Sequence, residues 1–144
     1  MNSFTQTINT SYNLILNRFQ PQGVIHCASP FFNEGGTREN LIEPAVSGTE
    51  MVLNACKKYD VERVMLTSSS ASVIVDYGTK AAASKTGNHV YNAKDFSPVD
   101  ILEKNNNYYS LSKLYAELKA WELSKEEGCP YKLCVLNPSI IWGP

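Results

Sequence analysis

The chain has 144 residues, 43% of them hydrophobic and 19% charged, with a formal net charge of -1. That length predicts one domain with a sizeable core, and a near-neutral charge with scattered lysines gives no basic field for nucleic acid or an anionic membrane surface. The N-terminus is polar and no apolar run approaches the roughly 20 residues that cross a bilayer, so a cytoplasmic chain without membrane contact is expected. Cys27, Cys56, Cys129 and Cys134 show no C-x-x-C spacing and no nearby histidine pair. Buried free thiols and no metal site are the expectation.

In chain order, Ile8, Tyr12, Ile15, Leu16 and Phe19 recur at helical spacing, and Pro21 with Gly23 closes a helix predicted over 8–19. The brief apolar run Gly23-Val-Ile-His-Cys-Ala28 suits a buried parallel strand that opens into small residues. A helix is predicted over about 41–59, with Pro44 near its start and Ala45, Val46, Thr49, Val52, Leu53 and Cys56 facing inward. Arg63-Val-Met-Leu-Thr67 is a second short strand. The polar stretch 76–108 reads as a long functional loop. A helix over about 107–127 should place Leu111, Leu114, Tyr115, Leu118 and Trp121 on its inner side, with Gly128 ending it. Lys132 to Pro138 completes a third strand. This β-α-β-α-β order predicts an α/β fold: a partial, Rossmann-like parallel sheet of about three strands with flanking helices. Ligands of such sheets bind beyond the carboxyl ends of the strands, so the loops near Ala28, Ser69 and Pro138 should converge on one crevice.

Tyr109 and Lys113 stand four residues apart at the start of the last helix and so share a face. A free tyrosine titrates near pH 10, and an ammonium beside it favours the ionised phenol, which suits the pair to proton transfer. The same ammonium can hydrogen-bond a ribose hydroxyl. Thr67-Ser-Ser-Ser70 follows the second strand, and Ser69, or failing it Ser70, offers a hydroxyl that holds a substrate carbonyl against the phenol. A second pair with this spacing, Tyr115 and Lys119, falls among core positions of the same helix and is expected to be structural. The bland reading of the serines is a turn or helix cap.

Five segments in order carry a resemblance. They are Gly23-Val-Ile-His-Cys-Ala-Ser-Pro-Phe31, Glu43-Pro-Ala-Val-Ser-Gly-Thr49, Arg63-Val-Met-Leu-Thr-Ser-Ser69, Tyr109-Ser-Leu-Ser-Lys113 with Ala116-Glu117, and Leu136-Asn-Pro-Ser-Ile-Ile-Trp-Gly-Pro144. Together with Ala120-Trp121, which continues the fourth segment, they resemble the extended short-chain dehydrogenase/reductase superfamily of the NAD-dependent epimerase/dehydratase type. The resemblance is strongest to its branch of dihydroflavonol, cinnamoyl-CoA and methylglyoxal reductases. It implies an NAD(P)-dependent oxidoreductase that transfers a hydride to a ketone or aldehyde, with Ser69, Tyr109 and Lys113 catalytic. NADP is favoured over NAD by branch. The resemblance also places Ala28, Ser29, Thr67, Pro138 and Ser139, with Tyr109 and Lys113, along the cofactor. The same tyrosine and lysine would serve a nucleotide-sugar epimerase or dehydratase, or a hydroxysteroid dehydrogenase.

The eight glycines contain no G-x-x-G-x-x-G turn, whose helix N-terminus holds a pyrophosphate in that family. The expectation is therefore a central segment of a reductase, lacking the N-terminal glycine-rich unit and the C-terminal substrate domain, with weak cofactor binding by itself. Its first strand would present an open edge that favours association with another chain. A non-catalytic fragment that pairs with a full-length relative is the remaining alternative.

Overall fold

The computed structural model describes residues 3–31, 36–77 and 89–143, with the side chains of the first helix from Thr10 onward. Three strands, β1 (Gly23–His26), β2 (Arg63–Thr67) and β3 (Lys132–Leu136), form a parallel sheet in the order β1-β2-β3. The register runs from Gly23↔Arg63 to His26↔Leu66 and from Arg63↔Lys132 to Thr67↔Leu136, which brings the three carboxyl ends to one edge of the sheet. Four helices accompany it: α1 (Ser3–Phe19), α2 (Arg38–Lys58), α3 (Val99–Lys104) and α4 (Tyr108–Ser124).

Side chains alternate across the strands, and Val24, Val64, Leu66, Leu133 and Val135 face the helices. They pack with Val52, Leu53 and Cys56 of α2 and with Ala120 and Leu123 of α4, and Leu16 of α1 joins the same core. Ala116 and Ala120 are both buried, and such small side chains let α4 approach its neighbours closely. A second cluster of Ile42, Leu102, Leu111 and Leu114 ties α3 to α2 and α4. Arg38 donates to both carboxylate oxygens of Glu103, at 2.6 and 2.8 Å, on its surface.

Among the described residues the helices cover one face of the sheet only. Ile25 is 68% exposed on the other face, where a shallow hollow of about 470 Å³ over Ile25, Met65 and Cys134 lies at mid-sheet, away from the strand ends. The two-sided burial expected of parallel strands is thus met on one side.

Several local expectations are corrected. α2 begins at Arg38 because Thr37 and Asn40 form a reciprocal capping box, which leaves Pro44 inside the helix rather than in its first turn. Residues 99–104 of the polar stretch fold as α3, since Pro98 fixes the entry and Leu102 is fully buried; residues 78–88 lie outside the described part. In α4, Leu118 is exposed and Trp121 only half-buried, whereas Ser110, Ser112, Lys113 and Glu117 are buried. A helix that turns polar side chains inward defeats a reading by hydrophobic periodicity. It ends at Ser124, and Gly128, with φ of 74°, serves the turn into β3. Ile15 and Phe19 of α1 are exposed because only one stripe of that helix meets α2. Of the cysteines, Cys56 alone is buried, its thiol pushed up to about 11 by desolvation; Cys27 lies past the end of β1 and Cys134 on the open face.

Leu53 is fully buried, so Leu53→Ala should lower the unfolding free energy by about 2–5 kcal/mol in urea denaturation. Ile25→Thr on the open face should change it by no more than about 0.5 kcal/mol. Equal losses would contradict a one-sided core.

Candidate active site at the strand ends

Past β1 the chain runs through Cys27, Ala28 and Ser29; past β2 through Ser68 and Ser69; past β3 through Asn137, Pro138 and Ser139. The β2 and β3 exits are joined by the backbone, and the β1 exit by a side-chain contact. Ser68 N donates to Leu136 O at 2.8 Å and Ser70 N to Pro138 O at 2.9 Å. The Cys27 thiol and Thr67 hydroxyl lie 3.3 Å apart.

Ser69 caps a 3-10 turn, Ser70–Ser72, and its Oγ accepts from Ala71 N at 3.1 Å. The cap occupies a lone pair and leaves the hydroxyl proton without an acceptor among the described residues, so Ser69 can cap the turn and still donate to a ligand. Ser97 fastens the turn from outside, with its Oγ donating to Ala71 O and its N donating to Ser72 O.

The N-terminus of α4 supplies the other two groups. Asn107 caps it by accepting from Ser110 N, and Tyr109 follows in the first turn. Phe31 meets the Tyr109 ring edge-on at 5.4 Å between centroids. Lys113 Nζ lies 6.0 Å from the centre of the same ring. Lys113 is 8% exposed, and no carboxylate lies within ion-pair distance among the described residues. Desolvation lowers its pKa, opposed by the Cys27 thiol. His26, buried beneath it and 3.5 Å from Thr49 Oγ1 through Nε2, is held below its usual range by burial first and by the Lys113 charge second. The second tyrosine-lysine pair is different. Lys119 is ion-paired with Glu122 at 2.8 Å and Tyr115 packs on the second core cluster.

The structure therefore brings Tyr109, Lys113, Cys27 and Thr67 to the same edge as the exits that carry Ala28, Ser29, Ser69, Pro138 and Ser139. Sequence reasoning missed a polar cluster behind Ser69. Glu117, 4% exposed, accepts at one oxygen, Oε2, from Ser68 Oγ (2.6 Å), Ser72 Oγ (2.8 Å) and Asn137 Nδ2 (2.7 Å). A buried donor left without its acceptor costs about 1–3 kcal/mol, so this cluster is strongly constrained. The signal was available, since Tyr109, Lys113 and Glu117 continue one four-residue spacing along α4.

Residues 5–144 match the model of the NAD dependent epimerase/dehydratase family. The chain belongs to that family. Within it, cinnamoyl-CoA reductase 1 of Arabidopsis thaliana is 37% identical over 122 residues, which are 85% of this chain and 32% of that protein. Yeast methylglyoxal/isovaleraldehyde reductase, solved in complex with NADPH, superposes with a TM-score of 0.78 at 31% identity, over 94% of this chain and 42% of that one. UDP-glucose 4-epimerase from Brucella ovis, at 20% identity and a TM-score of 0.63, shares the fold. The chain thus spans about a third of the length of the curated relative. No helix among the described residues is long and apolar enough to cross a membrane, and none of their His, Cys, Asp and Glu side chains form a group that could hold a metal ion.

Because folding holds the His26 pKa below 6.5, the unfolded chain takes up its proton first as pH falls. The contribution of His26 to stability is complete above about pH 6.5 and declines as pH drops towards the lowered folded value, by at most about 1.4 kcal/mol per pH unit. His26→Gln should flatten that part of a stability-versus-pH curve; an unchanged slope would contradict the buried neutral imidazole.

Proposed function

We propose that this chain carries the catalytic centre of an NAD(P)-dependent reductase of ketones or aldehydes, with Tyr109 as proton donor, Ser69 as orienter of the carbonyl and Lys113 as the ribose-binding cation. The observation that carries the reading is the largely buried Lys113 side chain, whose Nζ lies beside the Tyr109 ring at the edge where all three strands end and without a carboxylate partner among the described residues. A partly desolvated ammonium is a good hydrogen-bond donor, and a ribose hydroxyl at this edge would accept from it.

The residues present fit the nicotinamide and ribose end of the cofactor. Ala28 and Ser29 after β1, Thr67 at the end of β2, and Pro138 and Ser139 after β3 would line it beside Tyr109 and Lys113. The 144 residues hold no glycine-rich turn for the pyrophosphate, so on their own they should bind NADPH weakly. When bound, the reduced nicotinamide supplies the hydride that adds to the carbonyl carbon and is itself oxidised. Ser69 donates a hydrogen bond to the carbonyl oxygen and fixes its direction. Tyr109 gives its proton to that oxygen as the alcohol forms, and Lys113 lends a positive charge to the phenol as the proton leaves. Phe31, edge-on to Tyr109, limits the positions the ring can take. Reductase relatives at 37% and 31% identity, against 20% for the epimerase, favour carbonyl reduction over sugar epimerisation.

Reduction of a small carbonyl compound, followed through NADPH consumption, should fall about 10²–10⁴-fold in Tyr109→Phe. Lys113→Met should be similarly impaired, with weaker cofactor binding, whereas Lys119→Met should retain activity because its partner is Glu122. Equal losses at the two lysines, or no turnover by the parent chain, would overturn the assignment.

A further inference from the structure

Glu117 is the one buried carboxylate of α4, and nothing in the proposed proton and hydride transfer uses it. Its side chain is turned towards three segments that must stay aligned for the site to exist: the exit of β2 at Ser68, the 3-10 turn at Ser72 and the exit of β3 at Asn137. Two of these donors, Ser72 and Asn137, also reach the Ser69 carbonyl, and Ser68 reaches Ser72. Ser72 Oγ lies 2.7 Å from Ser69 O, Asn137 Nδ2 lies 3.3 Å from Ser69 O and 3.0 Å from Ser72 Oγ, and Ser68 Oγ is 3.3 Å from Ser72 Oγ.

Counting protons shows what the carboxylate does. Ser68 and Ser72 carry one hydroxyl proton each and Asn137 carries two amide protons. Those four protons are divided among Glu117 Oε2, the Ser69 carbonyl and the Ser72 hydroxyl oxygen. Ser72 has one proton for two acceptors, so it bridges Glu117 and the Ser69 carbonyl. Without Oε2, the buried Ser68 and Ser72 hydroxyls and the half-buried Asn137 amide lose their common acceptor and are free to turn. The Ser69 carbonyl then loses the fixed neighbours that set the direction of its own side chain.

We propose that Glu117 is a positioning residue for Ser69, holding the serine turn against the sheet through Ser68, Ser72 and Asn137. Glu117 touches neither substrate nor cofactor in this arrangement. The inference rests on the reductase reading for its catalytic consequence, but its structural content stands apart from it. All three bonds converge on one oxygen, so a glutamine amide oxygen can replace it, whereas an apolar side chain cannot.

The test compares Glu117→Gln, Glu117→Leu and Asn137→Ala in the full chain by carbonyl reduction and by amide hydrogen exchange. Misplacement of a reacting group by an ångström costs on the order of 10²-fold in rate, so Glu117→Leu should lose roughly that much kcat while KM stays within about twofold, and Glu117→Gln should restore most of it. Exchange at the Ser70, Ser72 and Val73 amides should rise at least about tenfold more than at Val64 and Leu66 of β2 in Glu117→Leu, and not in Glu117→Gln. If Glu117→Leu does not fold, Asn137→Ala, which keeps the carboxylate, should show the same local loosening and kcat loss. Equal loosening of turn and strand, a loss confined to KM, or failure of glutamine to rescue would overturn the proposal. Should the parent chain reduce no carbonyl, the reductase reading fails, and the exchange pattern alone decides whether Glu117 holds the serine turn.

Discussion

The parallel register of the three strands is the constraint on which the candidate site depends. Pairing His26 with Leu66 and Thr67 with Leu136 makes the strands end level, so three chain exits far apart in sequence emerge side by side. Ser68 N to Leu136 O and Ser70 N to Pro138 O extend that alignment past the last ladder residues. A slip of one residue in β2 would turn Val64 and Leu66 to solvent and carry Ser69 to a different height. The core therefore fixes the chemistry, because the same alternation that buries Val64 and Leu66 sets where the serines leave the sheet.

The helix α4 contributes from the other side by an unusual composition of its buried stripe. Lys113 and Glu117 occupy positions where an apolar residue would stabilise the core more simply, and burying charged groups is costly without compensation. For Glu117 the compensation is visible in three hydrogen bonds to one oxygen. For Lys113 it is incomplete within the described residues, and desolvation lowers its pKa. A partly desolvated lysine without a carboxylate partner among the described residues, at a strand-end crevice, is a feature that stability alone does not account for.

Much of this was legible in the sequence. The three strands stand where short apolar runs meet small polar residues, and β2 matches its expected bounds from Arg63 to Thr67. Tyr109 and Lys113 share a helix face as their spacing requires, and the competing Tyr115 and Lys119 fall on core and surface. What escaped depended on partners distant in sequence. Glu117 acquires its meaning only when Ser68 and Asn137 arrive beside it, and α3 is a helix because Leu102 packs on Leu111 and Leu114, not because its own six residues favour one. Hydrophobic periodicity pointed to Leu118 and Trp121 because it cannot score inward-facing serine, lysine and glutamate.

The measurement that tests this account most directly is a titration of reduced nicotinamide mononucleotide, which lacks the adenosine end, into the isotope-labelled chain, followed by backbone amide shifts. The account predicts saturable shifts at Ala28, Ser29, Ser69, Tyr109, Lys113 and Ser139, at the carboxyl edge of the sheet. Shifts centred instead on Ile25, Met65 and Cys134 of the open face, or none at the strand ends under saturating ligand, would contradict it.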